Sequence, residues 1–553
     1  MFTIGPVKSF IEHSRKARDL YAGSYLLSYL MKGVIQELHK RDNQAEIIFP
    51  LPNQSNVPNR LIAKVAISSA EDKERLGQEL SQFVRQQFMA ICQQVFAKSK
   101  VTPNEAAIQQ IKSFLEVYWV FEQEPSYSLA YNKANYSLSS IKRLRCFEQT
   151  DEPAGRKCDI YPEYNAIVVR RKKDGRLPKF VDEKYAIDIT AVETCKYAIK
   201  PGEGLSAIAF VKRMLHLLEE DHLLPEYSLN IPSVAYMLLK SSLSNEHGER
   251  LKLLKDEASE ALFDLQNGQE LSIDEYRPAS RAVAEEMYKQ LATATHKVSP
   301  YYALLKFDGD GMGQLYRDYP DRQTQEQLSR NTSQFSNQVR TIISEQGGIC
   351  IYAGGEDFLG FLPVDKLFMT LYQLRQQFIT EVKAPAEHGK PLTFSAGIVI
   401  AHLMQPLGGM LTRTGAMERQ AKQYQGKNAF AIELVKRSGE GLEIISCFGD
   451  SGEILLHIHK VVLALSQKEY SKSFIYNLSE TLGRVGTLNM PEQQPLVRVL
   501  IEQSLQRSAS SLPKEERKMQ SEALYRVFLY FDSNLERFGS FLQFAAFVSR
   551  EVK

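Results

Sequence analysis

Two short constellations in this 553-residue chain have the residue types and spacing to do chemistry. AspGlyAspGlyMetGly occupies 308–313, directly after the apolar and aromatic run YYALLKF (301–307). GlyGlyGluAsp occupies 354–357, between the apolar runs GICIYA (348–353) and FLGFLP (358–363). The first reads as a strand end, the second as the tip of a hairpin. Adjacent strand ends would bring Asp308, Asp310, Glu356 and Asp357 together, although 49 positions separate the outermost pair. Four crowded carboxylates stay ionised only if cations neutralise them, and hard oxygen ligands suit Mg²⁺ or Mn²⁺. Two such ions about 3.5–4 Å apart activate an attacking hydroxyl and stabilise the leaving oxygen of an in-line phosphoryl displacement. Gly354 and Gly355 would permit the positive φ of a tight turn, and Gly309, Gly311 and Gly313 the close approach of backbone amides to phosphates.

Bland explanations compete with each motif. A Gly-Gly-acid-acid turn alone is more often a solvated hairpin tip, and a lone AspGlyAsp an ordinary turn. An EF-hand reading fails, because counting from Asp308 puts Met312 at position 5 and Tyr319 at position 12. Both motifs on neighbouring ends of one sheet favour the two-metal site. Further on, AlaLysGlnTyrGlnGlyLysAsnAla (421–429) sets Lys422 and Lys427 just before another strand. They read equally as a triphosphate clamp or as the cations that commonly decorate a helix C-terminus.

The elements that must position these residues follow from periodicity. After the strand at 301–307 comes a helix with apolar positions Leu328, Phe335, Val339, Ile342 and Ile343, ending at Gly347-Gly348. Then come the hairpin, a helix over about 365–382, a strand over 392–402, a helix over about 412–425 and the strand NAFAIELVK. The order β-α-β-β-α-β with an extra αβ is the split βαβ, or ferredoxin-like, plan. The N-terminus repeats it more faintly: FTIGPV, a helix burying Leu20, Leu27, Leu30, Val34 and Leu38, then AEIIFPL, RLIAKVAI and a helix over about 71–97. This copy has no acids at the equivalent points, neither in FTIGPVK nor in PLPNQSNVPN (50–59). Gly23, Ser24 and Ser28 on its first helix suit close packing more than contact with a nucleotide edge.

The expected class is α+β. A first domain, a degenerate copy of the split βαβ plan, spans 1–125, and a mainly helical middle domain 126–290. A second, catalytic domain spans 291–440 and a helical domain 441–553. Lys+Arg number 68 against 66 Asp+Glu, a net charge of +2 that rules out a polybasic binder. The local exception is 142–179, with 11 Lys/Arg and 6 Asp/Glu; it reads as a solvated loop more readily than as an RNA contact. No run of about 18 apolar residues exists, the N-terminus lacks the pattern of a secretory signal, and six dispersed cysteines with no CxxC fit a reducing cytoplasm.

At this point the chain resembles the large polymerase/cyclase subunit of type III CRISPR effector complexes, closest to the Cmr (III-B) branch. The residues that carry the resemblance are the 308–313 and 354–357 motifs, SerAlaGlyIleValIleAlaHis (395–402), GlyLysAsnAlaPhe (426–430) and LysArgSerGly (436–439). ArgLysAlaArgAspLeuTyrAlaGlySerTyrLeuLeuSer (15–28) and GlyGluGlyLeuSerAlaIleAlaPheValLysArg (202–213) add to them. The resemblance implies two palm-like domains, and a target-RNA-activated activity that joins ATP into cyclic oligoadenylates. It assigns Asp308, Asp310, Glu356 and Asp357 to two Mg²⁺ or Mn²⁺ ions, Lys422 and Lys427 to triphosphate, and Ser24 and Ser28 to a second ATP pocket. It also implies the other Cmr-type subunits, a guide RNA and a target RNA as partners. Three departures accompany it. No His-Asp pair is present and the first palm starts at residue 1, so DNase activity is not expected. The turn has Glu356 where the family usually has Asp. Tyr161 stands where a cysteine would pair with Cys158, which argues against a structural zinc.

Three other readings stay open. The same palm could transfer AMP to a non-nucleotide small molecule. GlyGlyGluAspPhe also resembles diguanylate cyclases, although Tyr352 stands where those usually have Arg. The chain could also be a structural subunit with a decayed site.

Overall fold

The computed structural model describes residues 1–50, 57–144, 152, 154–219, 224, 231–243, 256–292, 298–484, 494–508 and 512–551. Most of the expected N-terminal hairpin turn (51–56) and part of the basic stretch (145–151 and 153), with Cys146, lie outside them. The chain divides into two compact units: 1–236 with 249–295 and 313–333, and 237–248 with 296–312 and 334–553.

In the first unit the short β-branched and aromatic runs form β1 (Phe2–Gly5), β2 (Glu46–Phe49), β3 (Arg60–Lys64) and β4 (Glu116–Trp119), in the order β2-β3-β1-β4. Every pairing is antiparallel, the arrangement of a split βαβ sheet. The helix Ala17–Arg41 crosses from β1 to β2 and buries Leu20, Leu27, Leu30, Val34 and Leu38, as their helical spacing predicts. The helix Ala70–Lys98 starts where the Ser69 hydroxyl accepts from the Asp72 N–H. The middle region adds a small sheet that periodicity does not reveal, because its strands are only two residues long: β5 (Val168–Val169), β6 (Ile187–Asp188) and β7 (Gly204–Leu205).

The second unit holds β8 (Tyr301–Gly309), β9 (Ile349–Gly354), β10 (Asp357–Pro363), β11 (Phe394–His402), β12 (Ala429–Val435) and β13 (Gly441–Cys447). Their order is β13-β12-β11-β8-β10-β9. The last four strands in that order repeat the split βαβ plan, and the parallel pair β11/β12 adds the expected extra αβ. β13 corrects the start of the helical domain expected over 441–553: it pairs antiparallel with β12 from Val435↔Gly441 to Ala429↔Cys447. Its sequence GLEIISC, with only Ile444 and Ser446 buried, alternates too weakly to read as a strand. The helix expected from about 412 begins five residues earlier, at Leu407 directly after Pro406, because Pro presets the backbone for a first turn. Helices at 453–466, 472–484, 494–508, 514–530 and 535–548 follow.

The stretch 313–333 groups with the first unit. Polar contacts tie it there: Arg322 pairs with Glu46 at 2.6 Å, and the Tyr127 hydroxyl donates to Gln325 Oε1 at 2.6 Å.

Candidate active site

An aromatic block fixes the strand ends that carry the acids. Phe307 stacks on Phe358 at 5.0 Å between ring centroids and on Phe394 at 4.5 Å; Phe378 meets Phe394 edge-on at 5.3 Å. Each ring is buried, and such pairs add about 0.5–1.5 kcal/mol each beyond their buried area. Phe307 immediately precedes Asp308, Phe358 immediately follows Asp357, and Phe394 precedes Ser395. The register Phe358↔Phe307 and Ser395↔Asp308 makes these three strands contiguous.

The hairpin tip therefore does reach the end of β8. A Cβ on Gly309 would stand 2.9 Å from Glu356 Cβ and Cγ, so only glycine lets the tip lie that close. The expected roles of the glycines divide. Gly311 (φ 73°) and Gly355 (φ 66°) take left-handed backbone, whereas Gly354 is not among the positive-φ residues and ends β9.

Each acid has its own environment. Asp308 forms an ion pair with Lys422, whose ammonium also lies 3.2 Å from Glu418. Lys306, two residues before Asp308, reaches the same Glu418 at 3.1 Å. Glycine at 397 makes this possible, since a Cβ there would lie 2.1 Å from the Glu418 nitrogen; the helix Leu407–Gln423 rests directly on β11. Burial, with Lys306 and Lys427 nearby, lowers Lys422 to about 8. Asp310 accepts from Thr393 Oγ1 at 2.7 Å, Ser395 Oγ at 2.8 Å and the Asn428 N–H at 3.0 Å. Burial raises the Glu356 carboxyl. The packing around the turn, and then Glu356 itself, push Asp357 well above the usual carboxylate range while Lys306 opposes. Asp357 is exposed at the tip, so solvent moderates that repulsion.

Among the described residues no three of His, Cys, Asp and Glu lie close enough to hold one ion. The fold thus brings the four acids to neighbouring strand ends without assembling them into a closed ligand set. Glu356 and Asp357 nonetheless fit a divalent cation: they are adjacent hard oxygen donors at the hairpin tip, and the Glu356 charge pushes Asp357 up. The Lys422 ammonium on Asp308 marks a second place where positive charge is taken up. Ser395 and Asn428 entered the sequence reading only inside the motifs at 395–402 and 426–430, with no role of their own, and Thr393, Lys306 and Glu418 escaped it. Glu418 alone had a signal, lying one helical turn before Lys422.

The N-terminal motifs have a different fate. Ser24 and Ser28 are each only 4% exposed. Ser28 Oγ accepts from the Val57 N–H at 2.7 Å, and Ser24 Oγ has no partner among the described residues. Gly23 lies against the Phe10 carbonyl, 3.0 Å from where a Cβ would stand. Arg213 grips Asp19 with two bonds of 2.9 Å, and Arg15 reaches Glu203 at 3.2 Å. Lys212 donates to His13 O at 2.8 Å and Ser14 Oγ at 2.9 Å. The 15–28 and 202–213 motifs are thus two halves of one buried ionic network. In the basic stretch, Arg170 donates to Ile199 O at 2.7 Å, Arg171 pairs with Asp188 at 2.6 Å, and Arg156 holds Asp159 with two bonds of 2.9 Å. These arginines serve the fold. Cys158 Sγ accepts from the Ile160 and Tyr161 N–H groups at 3.4 and 3.3 Å, and Tyr161 packs against His13.

Comparison with known proteins agrees with this architecture. Residues 301–431 match the family Cas10/Cmr2, second palm domain, and residues 1–118 match CRISPR-associated protein Cmr2, N-terminal. Two separate stretches of the chain thus match Cas10/Cmr2 models, one in each unit's split βαβ sheet. The CRISPR system Cmr subunit Cmr2 of Pyrococcus furiosus is 24% identical over 81% of this chain, which spans 63% of that protein's length. The fold is shared with a type III-B Cmr-beta cryo-EM structure in the apo state, at TM-score 0.64 and 15% identity, over 92% of this chain and 77% of that one. A Cmr-beta structure bound to cognate target RNA gives 0.63 and 15%, over 92% and 78%. No helix among the described residues is long and apolar enough to cross a membrane.

Proposed function

We propose that the second unit is a nucleotidyltransferase that converts ATP into cyclic oligoadenylates, as a subunit of a Cmr-type complex activated by target RNA. The observation that carries this reading is the approach of the GlyGlyGluAsp tip to the end of β8, with Glu356 against Gly309. There burial raises the Glu356 carboxyl, and burial followed by the Glu356 charge raises Asp357.

Asp308, Glu356 and Asp357 would hold two Mg²⁺ or Mn²⁺ ions, which when bound supply the Lewis acidity for a 3′-hydroxyl to attack an α-phosphorus and expel pyrophosphate. Lys422, at about 8, is mostly protonated at pH 7. Once cations reach Asp308 it can turn its ammonium from that carboxylate to a triphosphate, with Glu418 one turn back as its tether. Lys427 stands on the turn that follows. In this reading guide and target RNA contact the complex mainly through the other subunits, since the arginines at 156, 170 and 171 are spent inside the fold.

The Asp308–Lys422 pair is also what a decayed site would show, so the test must separate the two. The assembled complex is given target RNA, labelled ATP or GTP, and Mn²⁺, and the products are resolved. Cyclic oligoadenylate supports the proposal. Cyclic di-GMP overturns the substrate, an AMP conjugate overturns the acceptor, and no product with no Mn²⁺ binding marks a decayed site.

A further inference from the structure

Asp310 differs from the other three acids in how fully it is used. An ionised carboxylate offers about four lone-pair sites, and Thr393, Ser395 and the Asn428 N–H occupy three of them. Its own N–H donates to the Thr393 carbonyl at 2.7 Å, so backbone and side chain both face β11 and the turn before β12. That turn is unusual. Gly426, Lys427 and Asn428 have successive φ values of 82°, 55° and 48°, left-handed backbone that non-glycine residues resist. Such outliers persist only where surrounding structure over-determines them. Here Asp310 holds the Asn428 N–H, and Asn428 Nδ2 donates to the Gly449 carbonyl at 3.0 Å.

A counter-charge sits behind this arrangement. Arg375 is 1% exposed, and its Nε and Nη1 find no acceptor among the described residues. Its guanidinium lies 5.9 Å from the ring centroids of both Phe394 and Phe448. Burial lowers it to about 10 while Asp310 and Asp450 hold it up.

We propose that Asp310 is a positioning residue and not a metal ligand: balanced by Arg375, it clamps the left-handed 426–428 turn to the end of β8. Lys427 and the helix end carrying Lys422 are thereby held at a fixed place relative to Asp308. This rests on the nucleotidyltransferase reading for the substrate, but not for the clamp itself.

The test uses the full chain in its assembled complex, with two readouts: Mn²⁺ binding by electron paramagnetic resonance, and ATP handling. Asp310→Asn should keep Mn²⁺ affinity within about twofold while the KM for ATP rises about 10- to 100-fold and kcat moves far less, as for loss of an outer partner. Asp308→Asn should lose Mn²⁺ binding. Thr393→Val, which removes one donor and keeps the charge, should raise KM about two- to threefold and carries the test if Asp310→Asn does not fold. Arg375→Met added to Asp310→Asn should be no worse than the worse single variant, because both charges leave together. Loss of Mn²⁺ binding in Asp310→Asn, or a fall in kcat at unchanged KM, overturns the proposal. If the wild-type complex makes no product, direct binding of labelled ATP replaces KM, so the clamp is tested even where the activity reading has failed.

Discussion

The two split βαβ sheets have the same strand order and opposite treatments of charge. In the first unit the charges beside the sheet are closed on themselves: Asp19 meets Arg213, Glu203 meets Arg15, and Lys212 meets main-chain oxygens. Burial alone would raise the Asp19 carboxyl, but Arg213 overrides it and holds it below the usual range. In the second unit Glu356 and Asp357 are raised and Asp308 borrows a lysine. A fold tolerates such crowding where a cationic ligand relieves it. Shared topology therefore says little about activity, whereas the balance of charge at the strand ends says much.

The largest expected effect breaks this comparison at the acids. Asp308→Asn or Asp357→Asn should lower product formation on the order of 10³-fold, the scale of losing one electrostatic stabiliser. Lys8→Ala, just after β1 and exposed beside Glu12, should leave product formation within about twofold. Product yield from labelled ATP decides both.

Stability should respond in the reverse pattern. Arg213→Ala strands the buried Asp19 carboxylate and should cost about 3–5 kcal/mol, read by urea unfolding and by amide exchange in the helix Ala17–Arg41. Lys422→Ala, on a half-exposed pair, should cost about 1 kcal/mol or less. Equal losses would erase the contrast between the units.

Lys212 makes the first unit sensitive to pH. Burial lowers its pKa to about 7, below the 10.5 of a free lysine. Between those values the unfolded chain binds the extra proton, so stability rises with pH by at most about 1.4 kcal/mol per unit. Amide exchange of the first unit should slow from pH 7 to 9, after correction for intrinsic rates. Lys212→Met should flatten that dependence.

The smallest effect runs the other way. Glu356 and Asp357 have raised pKa values, so the stability they contribute is complete only below the ordinary carboxylate range and is lost as pH rises. Glu356→Gln with Asp357→Asn should therefore raise Tm at pH 7.5 without added metal by about 1–3 °C, and should abolish any stabilisation by Mn²⁺. Calorimetry with and without Mn²⁺ measures both.

Much of this was legible in the residues. Leu20, Leu27, Leu30, Val34 and Leu38 marked their helix, and GICIYA and FLGFLP marked the hairpin, because burial of one face imposes a period. Three things were not. β13 has no strong alternation, the two-residue strands β5–β7 have no period at all, and the basic stretch hides its partners at distant positions such as Asp188. The motifs at 15–28 and 202–213 look functional as strings and prove to be one ionic weld.

The sequence alone determined the acids, their strand-and-turn contexts and the doubled βαβ order, since these follow from local composition and periodicity. Only the tertiary structure decided how each charge is spent. Asp310 is claimed by Thr393, Ser395 and Asn428, Asp308 by Lys422, and Asp19 by Arg213, partners that lie between 83 and 194 positions apart along the chain. Electrostatic free energy depends on distance through space and on burial, and neither is a property of neighbouring letters.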